Sequence, residues 1–304
     1  MRPGGLLLAA ALASSAAPAW GGAPDPGLIA TFSPARAAQG GVVEVFVTSP
    51  SPLASLLVAE GELRIPLAPD ASARRFSGLL GIDFEAEPGE RTLLLEGRDS
   101  LGAEIKGQAM LQVAARRFVV QKLKVDPKFV EPPPPERERI ERDRQEFARA
   151  FASSRPDRLW SGRFLRPAAG ALRGNFGARR VYNGRTRGRH AGLDIAAPSG
   201  APVTASAAGR VALAGDFYLS GGSVLLDHGQ GVFTIYFHLS RLDVKEGDFV
   251  RAGHRIGAVG ATGRVTGPHL HWAARLCGAR IDPSALLALP PQPAFRPLGP
   301  PMRD

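Results

Sequence analysis

One cysteine, Cys277, stands among 304 residues, so no intramolecular disulfide can form and cysteine-rich zinc folds are excluded. Any metal must therefore sit on histidine and carboxylate. Histidine is itself scarce and uneven, since none of the six precedes residue 190. Long apolar runs are missing beyond the N-terminus, which excludes a polytopic membrane protein. There is no His-Glu-x-x-His to supply a helix-borne glutamate base, no Gly-x-Ser-x-Gly elbow and no Gly-x-x-x-x-Gly-Lys-Ser/Thr phosphate loop. Gly257, Gly260 and Gly263 imitate such a loop only superficially, because they lead to His269-Leu-His271 and not to a phosphate-binding helix; strand turns explain them better. Disorder throughout is excluded too, since 44% of the residues are hydrophobic and proline and glycine cluster.

What is present divides the chain. The length suits two domains. Met1-Arg2, the apolar stretch Leu6 to Ala17 and the small residues Ala17-Pro18-Ala19 have the pattern of a secretory signal peptide, with Ala23 a second cleavage position. A retained membrane anchor is the alternative, but ~14 apolar residues fall short of the about 20 a span needs. No cysteine follows for lipid attachment. The reading is a signal over residues 1–19, a mature chain without stable membrane insertion, and a periplasmic or secreted location.

Net charge is −5 over residues 24–115, +5 over 116–165 and +9 over 166–304. A basic C-terminal half seeks polyanions. It carries no basic helix or aromatic-interleaved patch, so no nucleic-acid partner is expected and anionic cell-envelope polymer fits better.

Residues 24–115 read as short strands. Val42 to Val47 is strongly β-prone, Thr92 to Glu96 follows the turn Glu87-Pro88-Gly89, and Asp99 to Gly102 turns the chain before Ile105 to Val113. This predicts an immunoglobulin-like β-sandwich, without histidine or cysteine, that spaces the chain or contacts a partner. Residues 116–163 form a linker. In it Pro132 to Pro135 make a stiff break, and Glu136 to Ala152 read as one helix with apolar Ile140, Phe147 and Phe151 and with i,i+4 pairs such as Glu138–Arg142. The helix is either a solvated connector with one sticky side or an arm over the C-terminal site. A domain over 164–288 and a Pro-rich tail over 289–304 complete the chain, which is mainly β.

The chemistry lies between His190 and His271. In His190-Ala-Gly-Leu-Asp194 an imidazole and a carboxylate four apart, separated by small residues, can converge on one cation, and zinc accepts both donor types. In Gly267-Pro268-His269-Leu270-His271-Trp272, strand alternation places His269 and His271 on one face. Gly231 to Leu239 reads as a strand on which His238 shares a face with Thr234 and Tyr236. His228 reads as a turn residue, His254 as an exposed turn residue, and Cys277 as a buried free thiol.

Together, His-x-x-x-Asp, a strand ending Tyr-x-His-Leu and Gly-Pro-His-Leu-His-Trp resemble the lysostaphin-like, LytM-type zinc endopeptidases of peptidoglycan. Phe176-Gly177, Gly192 to Ala196, Gly200 to Val203, Gly209 to Val211 and Gly260 to Gly263 extend the likeness over roughly residues 164–285. The resemblance implies a compact, mainly antiparallel β metallopeptidase domain with a groove over one Zn²⁺. His190, Asp194 and His271 would be its ligands, and His238 and His269 the catalytic pair. With no glutamate nearby a histidine must take the water's proton; His269 is assigned that duty and His238 stabilisation of the oxyanion. Tyr236 is weighed as a further contact, chiefly with a packing role. Arg185, Arg187 or Arg189 would attract stem-peptide carboxylates. The expected activity is cleavage of peptidoglycan stems or cross-links, of D-alanyl to diaminopimelate type. The rivals are a non-catalytic peptidoglycan-binding module that recruits or activates another wall hydrolase, and a general secreted protease.

Overall fold

The computed structural model describes residues 27–292. The leader read over residues 1–19 lies outside them, as does residues 293–304 of the tail. Strands dominate, with one long helix, Pro134–Ala152, and a short one, Pro283–Ala288. Among the described residues no helix is long and apolar enough to cross a membrane.

The N-terminal part is two sheets. One orders its strands Ile29–Ser33, Val42–Thr48, Arg75–Gly81 and Ala68–Pro69. The other runs Arg36–Ala38, Glu104–Ala114, Gly89–Arg98, Ser55–Glu60 and Leu63–Pro66. Period-two alternation decides what goes inside: Val43, Val45, Val47, Phe76 and Leu80 meet Val58, Leu93, Leu95, Leu111 and Val113 in one core. The Asp99 turn forms as read, its carboxylate accepting from the amides of Leu101 and Ala103.

The C-terminal part is a ten-stranded sheet. Its central order is Gly192–Ala196, Leu270–Leu276, Val232–Leu242, Gly221–Asp227 and Gly209–Phe217, antiparallel throughout. Every residue of Gly221–Asp227 is buried, so this sheet is covered on both sides. One face packs Ile195, Val211, Val224, Leu226, Tyr236 and Trp272 into a core. The other carries Phe217, Leu225, Phe233, Ile235 and Ala273, and onto it lies the long helix with Phe147, Ala150 and Phe151. These three recur at i, i+3 and i+4, which is why one helical stripe can be buried while the rest stays polar. The helix matches the sequence reading closely, and among its charges Glu141 and Arg144 pair. Arg139 also bonds Asp216, and the Asp143 carboxylate accepts from the Tyr218 amide.

The segment before the helix does more than connect. Val120–Leu123 forms a parallel strand against Arg179–Tyr182, which pairs in turn with Arg185–Arg189. Nor are the halves merely tethered. Val42 and, partly buried, Leu79 pack with Trp160, Phe164, Leu276 and Ile281, while Arg280 forms a two-pronged bond to Asp83 at 2.8 and 2.9 Å.

Candidate metal centre

Pairing register builds the site. Asp194 stands opposite His271, and His271 opposite Phe237, so the three form one row across three strands on the helix-bearing face. The Phe237 ring stacks on His271 with centroids 5.3 Å apart and meets the ring of Phe147 on the helix edge to face at 5.6 Å. His190 enters from the turn before the Asp194 strand, held by backbone bonds from its amide to Ala178 and from Gly177 to its carbonyl. His269 sits just before the His271 strand, bridged to Gly260.

His190 Nε2, His271 Nδ1 and Asp194 Oδ1 form a triangle with edges of 2.7, 3.2 and 3.2 Å. His269 Nε2 is 3.6 Å from the same oxygen. The His238 ring lies 5.0 Å from that of His269 and 5.9 Å from that of His271. All five residues singled out in the sequence therefore meet in one place. His190, Asp194, His238 and His271 are each less than a tenth exposed.

The hydrogen bonds fix which nitrogen carries the proton. His190, His238 and His269 each turn Nδ1 to a backbone carbonyl, those of Asn175, Thr262 and Gly267, at 3.1, 2.9 and 2.8 Å. A carbonyl only accepts, so each Nδ1 donates and each neutral ring keeps its lone pair on Nε2. Burial lowers the pKa of His190 and takes His271 down to about 4; burial and the neighbouring imidazoles hold His238 well below the usual range. For Asp194 burial acts upward, but the adjoining His190 and His271 rings outweigh it and keep the carboxyl far below the ordinary range. The centre is thus an array of unshared pairs around one ionised carboxylate.

Two side chains missed in the sequence complete it. Asn175 donates to Asp194 Oδ2 at 2.6 Å and Arg180 at 3.3 Å, leaving Oδ1 turned to the histidines. Asn175 adjoins the noted Phe176-Gly177, but nothing in its spacing ties it to Asp194, nineteen residues on. Thr262 is the third omission. Its carbonyl holds His238, its hydroxyl donates to the Leu239 carbonyl, and the Gly222 amide donates to that hydroxyl.

The face expected of His238 is corrected. Tyr236 and Thr234 point into the opposite core, where the Tyr236 hydroxyl bonds Thr234 and Ser206. Strict alternation would send His238 with them. Instead His238 has φ +67°, and the pairing register shifts on either side of it. This bulge turns its ring back into the site. A left-handed non-glycine residue costs about 1–3 kcal/mol and is kept where the surroundings enforce it, here by Ser220 and Thr262. Tyr236 takes the packing role.

The other histidines behave as read: His254 is exposed, and His228 follows its strand into a turn, although it is fully buried there. Cys277 is a free thiol, half-buried and not buried as expected; burial still raises its pKa to about 11. Of the three arginines proposed for the groove, Arg185 pairs with Glu131, Arg189 lines the cavity beside His190, and the side chain of Arg187 lies outside the described ones.

The residues fit zinc. Donors 2.0–2.1 Å from a tetrahedral ion stand about 3.3 Å apart, close to the two edges of 3.2 Å and wider than the 2.7 Å between the two imidazoles, and no hydrogen-bond donor of the three can satisfy all the lone pairs at once. His190, Asp194 and His271 are also the His/Asp group whose ligand atoms all lie within 4.8 Å of one another.

The chain is similar to known proteins in sequence and in fold. The profile of peptidase family M23 matches residues 188–283. A solved putative peptidase M23 from Pseudomonas aeruginosa is 31% identical with a TM-score of 0.65, covering 83% of this chain and 95% of its own. The chain belongs to peptidase family M23. Among curated relatives, the DD-carboxypeptidase/endopeptidase Mpg of Neisseria meningitidis serogroup B is 48% identical over 101 residues, 33% of this chain and 23% of that protein. The peptidoglycan DD-endopeptidase ShyA of Vibrio cholerae is 41% identical over 109 residues, 36% of this chain and 25% of that one. The likeness thus spans about a quarter of the length of these curated relatives.

Proposed function

We propose that the chain is an exported zinc endopeptidase that hydrolyses peptide bonds of peptidoglycan, at D-alanyl to diaminopimelate cross-links. The observation that carries this reading is the buried triangle of His190, Asp194 and His271 with two further imidazoles beside it. The names of the two curated relatives support the substrate. Export rests on the leader-like N-terminus and on where that substrate lies.

His190 Nε2, Asp194 Oδ1 and His271 Nδ1 would hold one Zn²⁺, which would supply Lewis acidity toward water and a substrate carbonyl. Asn175 and Arg180 keep Asp194 aimed, a role whose loss typically costs 10–100-fold in affinity or activity, to order of magnitude. His269 offers Nε2 as a proton acceptor, takes the proton of the attacking water and returns it to the leaving amine. His238, whose ring lies 5.0 Å from that of His269, is assigned to the carbonyl oxygen. Its bulge and Thr262 hold it ready for that contact. Phe237 walls the site and excludes water from one side of His271. The two N-terminal sheets are read as an immunoglobulin-like sandwich that spaces the peptidase face from, or towards, its envelope partner.

The test is zinc content of the purified mature chain together with release of soluble fragments from peptidoglycan, with and without chelator. About one zinc per chain and chelator-sensitive release are expected. Absence of both would leave the recruiting, non-catalytic module as the better reading.

A further inference from the structure

Beside His190 and His238 the groove opens into a cavity of about 190 Å³. Among its described lining residues are three arginines, Arg180, Arg189 and Arg264, and no acidic side chain. Each guanidinium is held before any ligand arrives. Arg264 lies over the Tyr182 ring at 4.7 Å, and Arg180 donates to the Tyr182 hydroxyl at 3.1 Å. Tyr182 is almost fully buried and so gives both a rigid support. Arg189 spans the rings of Phe118 and Phe84 at 5.2 and 5.9 Å and donates to the Gly177 carbonyl at 3.3 Å; Glu85 approaches its Nε at 3.5 Å from outside the cavity.

We propose that Arg264 and Arg189 form a carboxylate-binding subsite that selects substrates bearing a free carboxylate on the carbon attached to the scissile nitrogen. The inference rests on the endopeptidase reading and deepens it. Planar guanidinium forks match a carboxylate in two-pronged fashion, and forks already immobilised lose little entropy on binding it. A carboxyl carbon so placed lies within about 4 Å of the scissile carbonyl carbon, and the arginines line the same cavity as His190 and His238. Arg180 is engaged with Asp194 and acts as a positioning residue. A D-alanyl bond to the side-chain amine of diaminopimelate keeps such a carboxylate beside the scissile nitrogen. An oligoglycine bridge, or any bond within an ordinary chain, carries an amide carbonyl there and offers no carboxylate to the forks.

The experiment uses the zinc-loaded full chain and two synthetic D-alanyl peptides, identical except for a carboxylate or a carboxamide on that carbon. The wild type is expected to prefer the carboxylate in kcat/KM by on the order of 10- to 100-fold, the range of a charged hydrogen bond. Arg264→Met and Arg189→Met should raise KM for the carboxylate peptide by a similar factor, leave the carboxamide peptide unchanged and retain zinc. Arg264→Lys should restore part of the preference. Binding of both peptides to metal-free protein by calorimetry should show the same order without turnover. Equal handling of the two by the wild type, or equal loss on both in the methionine variants, overturns the subsite. Should the chain solubilise peptidoglycan while binding and cleaving neither peptide, the subsite also falls and the endopeptidase reading survives. Failure on peptidoglycan as well would remove that reading.

Discussion

Replacing Gly192 by alanine tests the strand register that assembles the centre. A Cβ on Gly192 would stand 2.7 Å from both Cε1 and Nε2 of His271 and 2.7 Å from the Trp272 carbonyl oxygen. Ordinary contact needs about 3.5 Å or more, so the overlap approaches 1 Å on two sides. The imidazole could rotate away, but the carbonyl belongs to the neighbouring strand, where Gly192 pairs with Ala273. Strand and ring must both shift, moving His271 relative to Asp194. The expected costs are about 1–3 kcal/mol of stability from overpacking and roughly 10–100-fold in zinc affinity, as for other displaced ligands. Zinc titration by competition with a chromophoric chelator and urea unfolding of the metal-free protein measure the two separately. Wild-type affinity together with wild-type stability would show that the spacing of these strands does not set the ligand triangle.

His271→Ala should abolish zinc retention, whereas His269→Ala should keep zinc and lower kcat by on the order of 10²- to 10⁴-fold; loss of zinc in both would refute their separate assignments. His228 is fully buried, with Nδ1 on the Ala208 carbonyl and Nε2 on the Thr234 hydroxyl, and burial takes its pKa from 6.5 to about 4. The unfolded chain therefore binds this proton first, so the stability due to neutral His228 is complete above 6.5 and drains away as pH falls toward 4. Between pH 7 and 5 the stability gap between wild type and His228→Asn should shrink by about 2 kcal/mol; a gap independent of pH would mean that the imidazole titrates normally in the fold. Phe147→Ala removes the ring packed on Phe217 and Phe237 and should cost about 3 kcal/mol in urea unfolding, while an unchanged midpoint would make the helix a loose connector.

Four of the residues proposed for the centre were legible from local traces: two histidines separated by one residue, and a histidine four before an aspartate. The helix was legible from Phe147 and Phe151 at i, i+4 spacing. His238 was found but aimed wrongly, since the period-two rule assumes an unbroken pleat and a single left-handed residue reverses it. Asn175 and Arg180 were invisible for another reason. Their task is to reach Asp194 across a hairpin, and side-chain reach across tertiary contacts leaves no period in sequence. Val120–Leu123 escaped notice because its partner strand lies some sixty residues away and parallel to it, so no turn announces the pairing.

The core shared by Val42 and Leu79 with Trp160, Phe164 and Leu276 bears on how the molecule melts. Two globules on a string would unfold in two steps, each with its own heat. Here the first sheets cannot open without uncovering the floor of the second, and Arg280 would leave Asp83 in the same event. Calorimetry should record one transition with matching calorimetric and van't Hoff enthalpies. The acidic N-terminal part then serves as ballast: part of the free energy that keeps a strained histidine and a cluster of lone pairs in place is stored in a core outside the groove.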